Sequence, residues 1–213
     1  MQSSVELTQQ LVRFKTINPP GDESACAESL ATLLEGAGFV VNVVPFGDGR
    51  AQLIAQIGGV SGKLPIGFTG HLDTVPLGAQ PWSVDPLAAE MVDGKLYGRG
   101  SSDMKSGVAA FVSACRALAD RLPGSPGVVL LITAGEETGC TGAAALAGGT
   151  IGLPQVGASC CGRTDREPFA GRPQRSAMAR GCYIGGDRAW LDARERRQRR
   201  LQGGARSGRT AGF

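Results

Sequence analysis

"GVVLLITAGEETGC", Gly127 to Cys140, is the stretch whose reading decides how this chain folds. Val128 to Ile132 are apolar without alternation, which predicts a short strand covered on both faces at the centre of a sheet. The run is far too short to span a bilayer. Gly135 ends it, and two adjacent carboxylates, Glu136 and Glu137, follow at once. Such a pair beside a buried strand repels itself and loses hydration, and a multivalent cation is one remedy. One Glu could then hold metal while its neighbour stays available as a general base. The plainer alternative is an acid pair at a helix start, favourable to the helix dipole.

Working outward, helix-like and strand-like segments alternate. "MKSGVAAFVSACRALADRL" predicts a helix stopped by Pro123, and "AAEMVDGKLYG" a hairpin around Asp93-Gly94. "FVVNVVPF", "AQLIAQI" and "LPIGFTG" are short, β-rich and closed by Gly, Pro or Asp. "ESACAESLATLLEGAG" repeats apolar residues at helical spacing and ends at glycines. "SSVELTQQLVRF" opens on a capping-box pattern, Ser3 with Glu6, and sets Leu7, Leu11 and Phe14 on one face; "CTGAAALAG" adds a helical turn or two. The alternation predicts an α/β sandwich with a mixed, largely parallel central sheet.

Two further loops carry chemistry just past predicted strands, where open α/β sheets bind ligands. "TGHLDTVPLG", Thr69 to Gly78, holds the chain's one histidine, His71, with Asp73 two residues on. In an extended segment both side chains face one side, and a carboxylate there orients an imidazole as a metal ligand. A lone histidine beside a capping Asp is the alternative. "YGRGSSDMKSG", Tyr97 to Gly107, places Asp103 at the mouth of the following helix. Its two oxygens suit the bridging of two cations, and a plain helix N-cap is the alternative. Gly98-Arg99-Gly100 completes no nucleotide fingerprint.

Together "TGHLDTVP", "DGKLYGRGSSDMKSG" and "LLITAGEETGCTGA" resemble, in order and spacing, the metallohydrolase family of acetylornithine deacetylase, succinyl-diaminopimelate desuccinylase, aminoacylase and carboxypeptidase G. The resemblance covers residues 1–157 almost continuously. It implies a zinc-exopeptidase-like catalytic domain with a smaller inserted lid domain, usually dimeric, and two divalent metal ions, Zn or Co. On that pattern His71 binds one metal, Asp103 bridges both and Glu137 binds the second. Asp73 orients His71, and Glu136 is the general base. The implied substrate is a small N-acyl amino acid of the acetylornithine or succinyl-diaminopimelate type, with carboxypeptidase-like cleavage of a short peptide as runner-up.

The family pattern also contains a "LVVGEPTD" segment and two later histidines, and none is present here. "SCCGRTD", Ser159 to Asp165, stands in the first place, with Arg163 where the carboxylate belongs. The chain changes character there: residues 1–157 carry a net charge of −5 and residues 158–213 a net of +8, with 13 Arg and no Lys. Synonymous codons exist for "SCCGR" that, shifted by one nucleotide, give "LVVGE". Codons for "DRAWLDARERRQRRLQGGAR", Asp187 to Arg206, recover "TAHGSMPERGVNAVYKAAR", a fluent lid-domain sequence of the family. The expected organisation is therefore residues 1–157 as the N-terminal part of a catalytic domain, and 158–213 as a poorly ordered, out-of-frame tail. Each metal is then short of three protein ligands, so weak metal affinity and negligible activity are expected of this chain. A basic nucleic-acid-binding appendage is the competing reading; it is disfavoured because the arginines share no helical face. Six cysteines at irregular spacing and an N-terminus without a signal-peptide pattern lead to the expectation of a cytoplasmic protein with reduced thiols and no membrane partner.

Overall fold

The computed structural model describes residues 2–60, 62–149 and 152–161. The first helix, α1 (Ser4–Arg13), opens on the expected capping box: the Glu6 amide donates to Ser3 Oγ at 3.2 Å and the Ser3 amide to Glu6 Oε2 at 2.7 Å. Its Leu7 and Leu11 are fully buried, and Phe14 packs beside them. Helix α2 (Ser24–Glu35) ends at the Gly36–Gly38 turn and buries Ala27, Leu30 and Leu34. Helix α3 (Ser106–Ala117) stops short of Pro123, the expected end. A tight turn over Ala119–Arg121 takes over there and redirects the chain, so that Ala119 and Leu122 reach the core. Helix α4 is Thr141–Gly148.

Strands β1 (Val40–Gly47), β2 (Arg50–Ile57), β3 (Ile66–His71), β6 (Val128–Thr133) and β7 (Ala158–Cys161) form one sheet in the order β1-β2-β6-β3-β7. The sheet is mixed: β6, β3 and β7 run parallel, β2 pairs antiparallel with β6, and the edge strand β1 pairs antiparallel with β2. Every residue of β6 is buried, as its unbroken apolar run predicts. Val128, Leu130 and Ile132 face α1, α2 and α3, and Leu131 faces α4 across Ile54 and Leu146. A separate hairpin, β4 (Glu90–Val92) with β5 (Lys95–Tyr97), turns at Asp93-Gly94, where both residues take positive φ. Among the described residues no helix is long and apolar enough to cross a membrane.

Ala158–Cys161, the first residues of the segment assigned to the tail, pair with β3 as strand β7. The expectation for 162–213 lies outside the described residues.

Close packing of α3 on β3 depends on Gly70. A Cβ there would stand 2.8 Å from Met104 Cε and 2.9 Å from Val108 Cγ2. Gly70→Ala is expected to destabilise the fold by about 1–3 kcal/mol in urea unfolding, through overpacking. A loss below about 0.5 kcal/mol, the range of inert surface changes, would show that α3 yields freely.

Candidate metal centre

Because β3 and β6 are parallel neighbours, their carboxyl ends open on the same edge of the sheet, the usual ligand edge. His71, the last residue of β3, lies in register with Thr133, the last of β6. The Leu72 amide donates to the Thr133 carbonyl at 2.9 Å, and the Leu72 side chain is buried in the core, as alternation requires. His71 and the Glu136-Glu137 turn are thereby brought together from positions more than sixty residues apart. Ligand atoms of His71, Glu136 and Glu137 all lie within 4.8 Å of one another.

Asp103 approaches from a third loop. Its Oδ1 is 3.4 Å from His71 Nε2, and its side chain is half exposed. It occupies an extended backbone conformation inside the Ser101–Lys105 turn, and the N-cap position of α3 is Lys105 rather than Asp103. Nor do Glu136 and Glu137 start a helix: the first turn of α4 contains no acid and its N-cap is Cys140.

Asp73 is fully buried and sits behind the histidine. The imidazole Nδ1 donates to the Asp73 backbone carbonyl at 2.9 Å, with the carboxylate Oδ1 farther off at 3.5 Å. Orientation of the ring thus comes first from the main chain, which the sequence alone does not reveal. The carboxylate itself accepts from the Glu136 amide at 3.1 Å, the Glu137 amide at 3.0 Å and Asn18 Nδ2 at 2.9 Å. Nδ1 being engaged, Nε2 is the ring atom turned to the ligand side.

The electrostatics suit a cation. Burial alone would pull the imidazole down, but the bonds to Asp103 and Asp73 and the charge of Glu136 overcome it and raise it to about 10. Burial, together with the charges of Glu136, Asp103 and Asp73, pushes Glu137 above the usual carboxylate range, against the pull of His71. Burial also opposes ionisation of Asp73, yet the hydrogen bonds from His71, Asn18 and the Glu137 amide lower it to about 2. The groups gathered here, one imidazole nitrogen among carboxylates, are of the kind that holds zinc or a similar divalent ion. The residues present fit such a group.

The Asp73 shift carries a pH signature. A carboxylate lowered on folding adds stability above its unfolded pKa and loses it as pH falls through the folded one. In metal-free protein, the stability margin of wild type over Asp73→Asn is expected to be full above about pH 4 and to close as pH approaches about 2. Urea midpoints for both proteins across that range check it, and a margin independent of pH would contradict it.

Residues that sequence reasoning missed surround this centre. Asn18 lay in "NPPGDE", read only as a helix breaker. Lys105 is buried and donates Nζ to the Phe14 carbonyl at 2.9 Å, tying the Asp103 turn to the end of α1. Burial depresses it to about 8, against the neighbouring Cys26 thiol and the charges of Asp73 and Glu23. Glu23 and Arg50 form a bidentate pair behind the loops. Their identities offered no local signal, since each partner is far away along the chain.

Comparison with known proteins gives the family. The family model described as peptidase family M20/M25/M40 matches residues 67–186, which contain all five residues singled out from the sequence. The chain is 43% identical over 136 residues to succinyl-diaminopimelate desuccinylase 2 of Ruegeria sp. (strain TM1040), covering 63% of this chain and 34% of that protein. It is 40% identical over 141 residues to the succinyl-diaminopimelate desuccinylase of Granulibacter bethesdensis, covering 65% and 34%. The chain thus spans about a third of the length of the curated relatives it matches. Among solved structures, the M20 family metallo-carboxypeptidase Sso-CP2 from Sulfolobus solfataricus superimposes with a TM-score of 0.53 at 25% identity, over 65% of this chain and 32% of that one. Human carnosine dipeptidase 1 does so with a TM-score of 0.51 at 28% identity, over 61% and 31%. With one sheet edge gathering the imidazole and the carboxylates, and a family model matching more than half of its length, this chain belongs to peptidase family M20/M25/M40.

Proposed function

We propose that residues 1–157 are the metal-holding part of an amidohydrolase that removes the acyl group from a small N-acyl amino acid, of the succinyl-diaminopimelate or acetylornithine type. The observation that carries this reading is the convergence of His71, Asp103, Glu136 and Glu137 on the edge where β3 and β6 end. His71, Asp103 and Glu137 would hold the metal, with Asp103 placed to be shared between two ions, zinc or cobalt. A bound divalent ion supplies Lewis acidity, which lowers the pKa of water and polarises an amide carbonyl.

The chain's own residues then do the following. Asp73 and its backbone carbonyl keep the His71 ring in one orientation. Glu136, whose amide is held by Asp73, takes a proton from the attacking water at its carboxylate and returns it to the departing amine nitrogen. Substrate selection belongs to the remaining two thirds of the relatives' length.

Desuccinylase-type chemistry is favoured by identities of about 40% to such enzymes. A peptidase reading is supported by the likeness to a metallo-carboxypeptidase and a dipeptidase. We further assign the segments Ser159 to Arg163 and Asp187 to Arg206 to a shifted reading frame, the intact parent being a homodimeric enzyme and the present chain a weak metal binder with negligible activity. Resequencing the coding DNA tests that assignment; an error-free frame with no lid sequence beside it would end it. A frame-restored protein, loaded with zinc and offered N-succinyl and N-acetyl amino acids beside dipeptides, tests the activity. Turnover of the acyl amino acids is expected, and turnover of dipeptides alone would give the peptidase reading the place.

A further inference from the structure

The amide of Asn18 joins the two loops that carry the centre. It is buried, and Nδ2 donates both to Asp73 Oδ2 at 2.9 Å and to Thr138 Oγ1 at 3.0 Å. Thr138 directly follows the Glu136-Glu137 pair, so one side chain spans the histidine turn and the glutamate turn.

Its own position is fixed by main chain. The segment Thr16–Asn18 runs alongside Leu72–Thr74: Thr16 Oγ1 donates to the Leu72 carbonyl at 2.6 Å, the Thr74 amide to the Thr16 carbonyl at 2.9 Å, and the Asn18 amide nitrogen to the Thr74 carbonyl at 2.8 Å. A primary amide is suited to this place. It offers two hydrogens on one nitrogen and no charge, so it bridges a carboxylate and a hydroxyl without disturbing the charge that the cation site needs.

We infer that Asn18 is a positioning residue for the metal centre, setting the Asp73 carboxylate and the Glu136-Glu137 turn in the relative placement that metal binding requires. The inference rests on the metal-site reading above. Outer hydrogen-bond partners of this kind act through the ligands: without the amide, Asp73 keeps its bonds from the Glu136 and Glu137 backbone but loses its third donor and the bridge to Thr138.

The test is a titration of the full chain with cobalt(II) chloride, followed by visible d–d absorption, for wild type, Asn18→Ala, Thr138→Val and His71→Ala. Asn18→Ala is expected to weaken cobalt binding about 10–100-fold, the usual effect of removing such a partner, and to shift the d–d bands at saturating metal. Thr138→Val, which removes only the second anchor, is expected to weaken binding by less and to shift the bands the same way. It also serves if Asn18→Ala does not fold. A general loss of stability would lower the folded fraction without moving the bands of the metal-loaded protein. Binding within about twofold of wild type with unmoved bands in these variants, while His71→Ala loses binding, would overturn the role of Asn18. Wild-type cobalt binding by His71→Ala would overturn the metal-site reading itself, and the role of Asn18 with it.

Discussion

Glu23→Ala is expected to lower the free energy of unfolding by about 3–5 kcal/mol, the usual effect of stripping one partner from a buried ion pair. The Glu23 carboxylate is fully buried and receives Arg50 Nε at 3.0 Å and Nη2 at 2.7 Å, a bidentate fork. The guanidinium lies 4.8 Å from the centroid of the Phe46 ring and is fitted between two glycines. A Cβ on Gly21 would meet its Nε at 2.6 Å, and one on Gly135 would meet Nη2 at 3.2 Å. Both glycines also take positive φ, at +80° and +72°, so each loop is shaped around the arginine in a conformation that other residues rarely adopt. Gly21 belongs to the loop of Asn18, and Gly135 to the turn that leads into Glu136. Removing Glu23 leaves a mostly buried cation unpaired between them. Replacing both partners by apolar side chains, Glu23→Leu with Arg50→Met, is expected to recover most of the loss, because no charge is then stranded. Urea unfolding of the two variants measures this. A loss under about 1 kcal/mol for Glu23→Ala, the scale of an exposed pair, would mean that water reaches the site and screens it.

Glu136→Gln in a frame-restored protein is expected to reduce kcat by about 10²–10⁴-fold, the range attributed to a general base, with metal content unchanged. The amide keeps the size and the backbone bond to Asp73 Oδ1, a bond that does not involve the side chain. What is lost is the capacity to take the proton. On the roles proposed above, Glu137→Gln should behave differently, because it would replace a metal-holding carboxylate by a weaker donor: metal content should fall together with rate. Steady-state kinetics beside metal analysis separates the two glutamates. Should Glu136→Gln shed metal while Glu137→Gln retains it, the two roles are exchanged.

Much of the fold was legible because its signals are local. A helix announces itself every three or four residues, as Leu7 and Leu11 do in α1, and a doubly covered strand does so by an unbroken apolar run, as in β6. The Asp93-Gly94 hairpin followed from two residues able to take positive φ. The early end of α3 was not legible, because Pro123 is the nearest local stop while the chain turns sooner to bring Ala119 and Leu122 to the core. Of the site, His71, Asp73, Asp103, Glu136 and Glu137 stood out by type and by place after strands. Asn18, Glu23, Arg50 and Lys105 did not, since nothing near each of them in the chain hints at its partner.

By itself the sequence determined which segments become helices and strands, which strand lies at the centre, and which side chains have the chemistry to hold a cation. Only the tertiary structure decided that these side chains meet. Parallel pairing of β3 with β6 sets two carboxyl ends side by side, and hydrogen bonds from Asn18 to Asp73 and from Arg50 to Glu23 lock the loops around them. The physical reason is range: periodicity and turn chemistry act over a few residues, whereas a binding site is made of contacts between groups that only folding brings together.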